Sequence, residues 1–115
     1  LVAIHDGARP FISHPLIDRT LEGAKKQGAA APAMPLPFTV KKTKGDGTVE
    51  ETIDRFNLRE IQTPQILTYD LLKKGLQDER EVTDDLMLAE RLGHCPLLVP
   101  GEQWNLKITY PEDLE

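Results

Sequence analysis

The sequence predicts an α/β domain with a mainly parallel sheet flanked by helices, and with one hairpin arm that stands out from it. Three observations lead there. Short apolar runs alternate with stretches of helical spacing. Polar turns close several of the apolar runs. The segment 39–56 carries β-prone residues on both sides of Lys44-Gly45-Asp46-Gly47 but too few apolar residues for a core of its own.

The elements follow in order. Leu1-Val2-Ala3-Ile4 reads as a strand buried on both faces, closed by the turn His5-Asp6-Gly7-Ala8-Arg9-Pro10. Ser13 is placed to cap a helix that accepts Pro15 in its first turn. Leu16, Ile17, Thr20, Leu21 and Ala24 share one face of it, and Gly28 ends it. Residues 29–37 are apolar but hold three prolines, which reads as a strand beside a break and not as a central strand. The hairpin comes next, then a strand over Leu58–Gln62 ended by Thr63-Pro64-Gln65. Thr68 caps a predicted helix over Tyr69–Arg80 with Leu71, Leu72 and Leu76 inward. Thr83 caps another, with Asp84 and Asp85 in its first turn and Gly93 at its end. Leu97-Leu98-Val99 and Asn105–Thr109 read as strands, and Pro111-Glu112-Asp113 as the start of a final helix.

At 115 residues this is one domain's length, enough to bury a core. The net charge of −5 argues against a nucleic-acid surface but leaves room for a local basic pocket. No apolar run is long enough for a membrane helix, and the apolar start lacks the pattern of a signal peptide. The absence of an initiator Met suggests a fragment or a trimmed chain. The lone Cys95 reads as a small buried residue.

In open α/β sheets ligands bind beyond the carboxyl ends of the strands. Asp6 and Arg9 follow the first predicted strand, Thr63 and Gln65 follow a later one, and Lys107 lies within the last. Each has a plainer reading. Asp6 and Arg9 could pair across the turn, Thr63 could be a satisfied loop hydroxyl, Arg55 a solvated charge, and Lys107 a residue on an exposed strand face. Arg and Lys among hydroxyls suit a phosphate. His5, His14 and His94 are scattered and suggest no ligand cluster, and Thr83-Asp84-Asp85 is a better helix cap than metal site.

Taken together the motifs resemble those of the 2-C-methyl-D-erythritol 4-phosphate cytidylyltransferases. The residues are His5-Asp6-Gly7-Ala8-Arg9-Pro10, Thr39-Val40-Lys41, Ile53-Asp54-Arg55, Gln62-Thr63-Pro64-Gln65, Thr83-Asp84-Asp85, and Asn105-Leu106-Lys107-Ile108-Thr109 followed by Pro111-Glu112-Asp113-Leu114. The resemblance runs along the whole chain. It implies a Rossmann-like fold of the nucleotide-diphospho-sugar-transferase type, with residues 1–115 as the C-terminal part of one domain. It also implies cytidylyl transfer from CTP to 2-C-methyl-D-erythritol 4-phosphate, with Mg²⁺ on the triphosphate and pyrophosphate released, in non-mevalonate isoprenoid synthesis.

By the same resemblance, Arg55 and Lys107 hold the methylerythritol phosphate for attack, and Thr63 and Thr39 add hydroxyls. Asp6 stands where nucleotide and acceptor meet, while Ala8 and Arg9 shape the turn beside it. The arm of residues 39–56 would cross to a second subunit of a homodimer, so that Arg55 and Thr39 serve the partner's site. A bacterial cytoplasm or a plastid would suit the pathway, with neither nucleic acid nor membrane as partner. Phe38 stands where the family usually has Asp, and Leu86-Met87 where it has small residues. The family's Gly-rich nucleotide loop has no counterpart in the sequence, so the isolated chain is expected to be inactive. Ribitol-5-phosphate cytidylyltransferase, a sister enzyme, and a non-catalytic dimerisation module are the alternatives.

Overall fold

A computed structural model describes residues 1–114. Strand β1 (Val2–Ile4) leads through the polar turn into helix α1 (His14–Gln27). The Ser13 hydroxyl accepts the Leu16 N–H and caps α1, with Pro15 in the first turn. Gly28, at φ +88°, ends it and donates its N–H to the Ala24 carbonyl. Leu16, Thr20 and Ala24 are buried on the face that the spacing marks.

Next come β2 (Ala29–Pro35), the hairpin strands β3 (Val40–Thr43) and β4 (Val49–Ile53), then β5 (Arg59–Ile61) and β6 (Gln65–Leu67). Helices α2 (Tyr69–Gly75) and α3 (Leu86–Arg91) precede β7 (Leu97–Pro100), and a 3₁₀ turn (Pro111–Leu114) closes the described chain.

The expected α/β class holds, but the sheet is mixed and not mainly parallel. The β2–β7 ladder is parallel, whereas β1–β6, β2–β6 and β2–β5 are antiparallel. Strands β5 and β6 form one interrupted row lying between β1 and β2. That row runs against both, so β1, β2 and β7 share a direction while most ladders between neighbours are antiparallel.

Strand β2 is the central strand, despite its prolines. The reason is local. The Pro32 carbonyl accepts the Gln62 N–H at 2.8 Å, so its nitrogen, which has no hydrogen to donate, also faces the β5–β6 row. It meets that row where Gln62, Thr63 and Pro64 interrupt it, and no ladder bond is lost.

The alanines of β2 supply both faces of the core. Ala29 and Ala31 pack with Leu67, Leu86 and Ala89 toward α3, and Ala30 packs with Ala24 and Ile66 toward α1. Small residues let the helices approach closely. A Cβ on Gly23 would lie 3.2 Å from the Ala30 Cβ, and one on Gly75 would lie 2.6 Å from the Leu88 Cβ.

Several expectations need correction. β1 is only half-buried, because its outer edge has no pairing strand among the described residues. Helix α2 stops at Gly75, and Leu76 is exposed. Beyond it the Asp78 carboxylate takes the Arg80 N–H and guanidinium and closes a turn in place of a further helical turn. Thr83 does not cap α3. The Met87 N–H goes to Asp84 and the Leu86 N–H to the Gln65 side chain, which arrives from β6. Residues 105–109 form no strand, since their backbone bonds run to a loop: the Ile108 N–H donates to the Ala8 carbonyl. Pro111–Leu114, where a helix start is expected, forms a 3₁₀ turn up to the last described residue, and Cys95 is exposed where a buried residue is expected.

The hairpin is a separate two-stranded sheet, paired from Val40–Ile53 to Thr43–Val49. Its turn is held by the Asp46 carboxylate, which accepts both the Thr48 N–H and hydroxyl. The radius of gyration is 15.7 Å, against about 13 Å for a compact chain of this length.

Candidate active site

The turn after β1, the break between β5 and β6, and the segment after β7 meet at one corner. Asp6 is its centre. The Asp6 N–H donates to the Thr63 hydroxyl oxygen at 3.0 Å. Its carboxylate Oδ1 accepts the Ala8 N–H at 2.9 Å, and Lys107 Nζ lies 3.5 Å from Oδ2. The Ala8 N–H, with lesser help from Lys107 and Arg9, holds this carboxyl below the usual carboxylate range. Asp6 is therefore an anion at neutral pH, fixed on one oxygen by backbone.

Arg9 does not pair with the Asp6 carboxylate. Its guanidinium donates to the Asn105 carbonyl at 2.6 Å, and its N–H closes the turn onto the Asp6 carbonyl. Lys107 is half-exposed, so its ammonium faces solvent as well as Asp6. A cavity of about 620 Å³ opens beside it, lined by Arg9, Gln62, Lys107, Met34, Ile61 and Leu106. Glu60 also lines it, so two cations and one carboxylate stand among apolar walls, a mixture that suits a small polar ligand carrying an anionic group.

Behind the corner is a buried polar scaffold that the sequence analysis did not single out. Gln62 is 7% exposed and Asn105 is fully buried. The Gln62 amide donates to the Glu102 carbonyl, and its oxygen accepts from the Glu102 N–H and the Asn105 amide. Asn105 also donates to the Thr63 carbonyl at 2.8 Å. These bonds fasten the segment carrying Lys107 onto the break that carries Thr63. Gly101 is required here, because a Cβ would lie 2.5 Å from the Gln62 oxygen. The signal for Gln62 and Gln65 was their position flanking Thr63. For Asn105 it was a polar residue just before an apolar alternation.

Arg55 and Thr39 stand apart. Arg55 donates to the Leu36 carbonyl at 3.1 Å, at the foot of the hairpin. Thr39 is exposed at the start of β3, next to Phe38, itself 79% exposed. Among the described residues, no hydrogen bond or ion pair joins either of them to Asp6, Thr63 or Lys107. The structure thus brings together Asp6, Ala8, Arg9, Thr63 and Lys107 and leaves the arm residues outside that cluster.

Among the described residues, no three His, Cys, Asp or Glu side chains converge to hold a metal ion. Asp6 is a single carboxylate already engaged on both oxygens. The Asp84 carboxylate accepts the Met87 N–H at the start of α3, and burial together with Asp84 pushes the Asp85 carboxyl up. These residues do not form a resident site for a divalent cation. No described helix is long and apolar enough to cross a membrane.

Comparison with known proteins gives one family. A family model described as 2-C-methyl-D-erythritol 4-phosphate cytidylyltransferase matches residues 1–115. Proteins of that name from Syntrophus aciditrophicus and Desulforamulus reducens are 42% and 45% identical to the chain over 99% of its length. The chain covers 50% of each, and so spans about half the length of these curated relatives. The crystal structure of the Thermus thermophilus enzyme superposes with a TM-score of 0.87 at 38% identity, over 98% of this chain and 57% of that one. The Anaerococcus prevotii 4-diphosphocytidyl-2C-methyl-D-erythritol synthase gives 0.84 at 37% identity, covering 98% and 52%. With its motifs in order, its fold matched and the family model spanning its length, the chain belongs to the 2-C-methyl-D-erythritol 4-phosphate cytidylyltransferase family.

Proposed function

We propose that the protein carrying this chain transfers a cytidylyl group from CTP to 2-C-methyl-D-erythritol 4-phosphate. The observation that carries this reading is the ion pair of Asp6 with Lys107, a residue that lines the cavity of about 620 Å³ together with Arg9, and the Thr63 hydroxyl bonded to the Asp6 N–H. In the reaction an acceptor phosphate oxygen forms a bond to the α-phosphorus of CTP. The bond from that phosphorus to the bridging oxygen breaks, and pyrophosphate leaves with the electron pair. No covalent enzyme intermediate is needed, so positioning and charge carry the catalysis.

The roles divide by chemistry. Lys107 supplies a cation to the acceptor phosphate, and Asp6 orients that ammonium while accepting hydrogen bonds from substrate hydroxyls. Arg9 supports the cavity wall through Asn105. Ala8 fixes Asp6 through its N–H. Arg55 and Thr39, on the arm, act at the corner of a second subunit in a homodimer. The exposed Phe38 and Phe56 at the foot of the arm supply apolar surface for that contact. Mg²⁺ accompanies the CTP triphosphate as part of the substrate, and no residue of this chain is assigned to it. A bacterial cytoplasmic setting fits the bacterial relatives.

The test is pyrophosphate release by the longest translated product containing these residues, with CTP, Mg²⁺ and either 2-C-methyl-D-erythritol 4-phosphate or ribitol 5-phosphate. Release with the methylerythritol substrate alone is expected. Release with ribitol 5-phosphate alone transfers the assignment to the sister enzyme. A folded, dimeric protein releasing none with either would act in assembly instead.

A further inference from the structure

The mechanism above leaves out one side chain at the corner. His5 stands between Thr63 and Arg9, with ring Nδ1 2.9 Å from the Thr63 hydroxyl oxygen and Nε2 2.9 Å from the Arg9 carbonyl oxygen. A carbonyl oxygen only accepts. In the neutral ring the hydrogen must therefore sit on Nε2, and Nδ1 is left as an acceptor. The Thr63 hydroxyl then donates to Nδ1. Its oxygen already accepts the Asp6 N–H at 3.0 Å. Both of these bonds point back into the protein, and one lone pair on the Thr63 oxygen is left over.

We propose that His5 is a positioning residue: its Nδ1 holds the Thr63 hydroxyl proton, so that Thr63 meets the acceptor substrate with an oxygen lone pair. That lone pair suits a hydroxyl of a polyol and disfavours a phosphate oxygen. The division of labour follows: the cations take the acceptor's phosphate, and Thr63 takes its carbon chain. The Arg9 carbonyl sets the ring tautomer, so the same turn that places Asp6 also sets the polarity of Thr63.

This inference rests on the proposed function, and the test separates the two. In the full-length protein, His5→Asn keeps an acceptor near the Nδ1 position, whereas His5→Gln keeps a donor near the Nε2 position. The Gln variant should raise the KM for the phosphorylated acceptor about 3- to 10-fold, the range of one lost hydrogen bond, with the KM for CTP within about twofold. The Asn variant should stay within about twofold of wild type on both. Equal losses in the two variants, or a CTP KM rising in step, would overturn the role. Long-range ¹H–¹⁵N spectra of the His5 ring at pH 8 supply a readout besides activity. Hydrogen on Nε2 is expected, and hydrogen on Nδ1 overturns the proposal. A folded wild type without pyrophosphate release overturns the functional reading, and the ring spectrum then judges the His5–Thr63 bond on its own.

Discussion

The corner around Asp6 and the hairpin arm are built on opposite plans. At the corner each functional side chain is held by another part of the chain: Asp6 by Ala8 and Lys107, Thr63 by Asp6 and His5, Arg9 by Asn105. Behind it Gln62 and Asn105 are buried, the Gln62 amide bonded through both nitrogen and oxygen and the Asn105 amide nitrogen donating to Gln62 and to the Thr63 carbonyl. The arm has contacts of another kind. Its strands pair with each other, and its ion pair, Lys42–Glu50 at 3.1 Å, lies on its own surface. Geometry fixed within one chain marks the corner, while Thr39, Phe38 and Phe56 at the arm are exposed and serve only under the proposed function, as contacts to a second subunit.

Four perturbations separate the corner from the arm, and the first is expected to act most strongly. Lys107→Ala in the full-length protein should lower kcat/KM for the acceptor by about 10²-fold or more, with CTP binding little changed, because in the proposed reaction it removes the cation that holds the acceptor phosphate in line for attack. Steady-state kinetics with each substrate varied would check this. An equal loss for both would mean that Lys107 is not specific to the acceptor.

Gly75→Ala and Asn105→Ala address the scaffold. The first drives a methyl to 2.6 Å from the Leu88 Cβ and should destabilise by about 1–3 kcal/mol. The second leaves the Gln62 oxygen and the Thr63 carbonyl short of a donor, and should also cost about 1–3 kcal/mol. Urea midpoints at constant m-value would measure both. An unchanged midpoint for Asn105→Ala would remove the rigid-corner half of the comparison, and one for Gly75→Ala the close packing of α2 on α3.

The Asp6 carboxyl gives a pH test. Its folded pKa lies below the unfolded one, so its stabilising contribution is full above the unfolded value. That contribution is lost as pH falls through the folded value. Carboxyl ¹³C titration should give a midpoint below the ordinary one for Asp. Lys107→Ala should raise that midpoint only part of the way back, because the Ala8 N–H is the larger cause. Full reversion would make the ammonium the main partner.

The smallest effect on folding is expected at the arm. Phe38→Ser and Phe56→Ser should each change stability by no more than about 0.5 kcal/mol, since both rings are exposed in the single chain. The same variants should shift the full-length protein from dimer toward monomer in light scattering. Unaltered dimers would assign the interface elsewhere.

Legibility in the sequence follows from how local each interaction is. Helix α1 was readable because its cap, its apolar face and its glycine stop all lie within the segment. The hairpin was readable because its turn residues and β-prone flanks adjoin. The central place of β2 was hidden, since Pro32 is acceptable only because the opposing row breaks at Gln62–Pro64, a fact about a distant segment. Thr83 offered a plausible cap, but Gln65 from β6 and Asp84 took the amides at the start of α3. Residues 105–109 alternate like a strand, yet Asn105 is bound to Gln62 and Thr63, and Ile108 to Ala8. Asp6, Ala8, Arg9, Thr63 and Lys107 meet at one corner, whereas Arg55 and Thr39 do not join it. The pairing of Asp6 with Arg9 across the turn, a plainer alternative, is made by backbone only, while the Asp6 carboxylate meets Lys107 from a distant segment. His5 was passed over as one of three scattered histidines, and its meaning comes from Thr63, 58 positions away.

Subunit mixing decides whether the arm of one subunit serves the corner of another. Full-length Arg55→Ala and Lys107→Ala proteins, each impaired alone, are unfolded, refolded together and separated as heterodimers by distinct affinity tags. If the arm of one subunit serves the corner of the other, one of the two sites in each heterodimer combines an intact Arg55 with an intact Lys107, and about half of the wild-type kcat returns. Proven heterodimers that stay as inactive as their parents would place Arg55 and Lys107 in the site of a single chain and contradict the account.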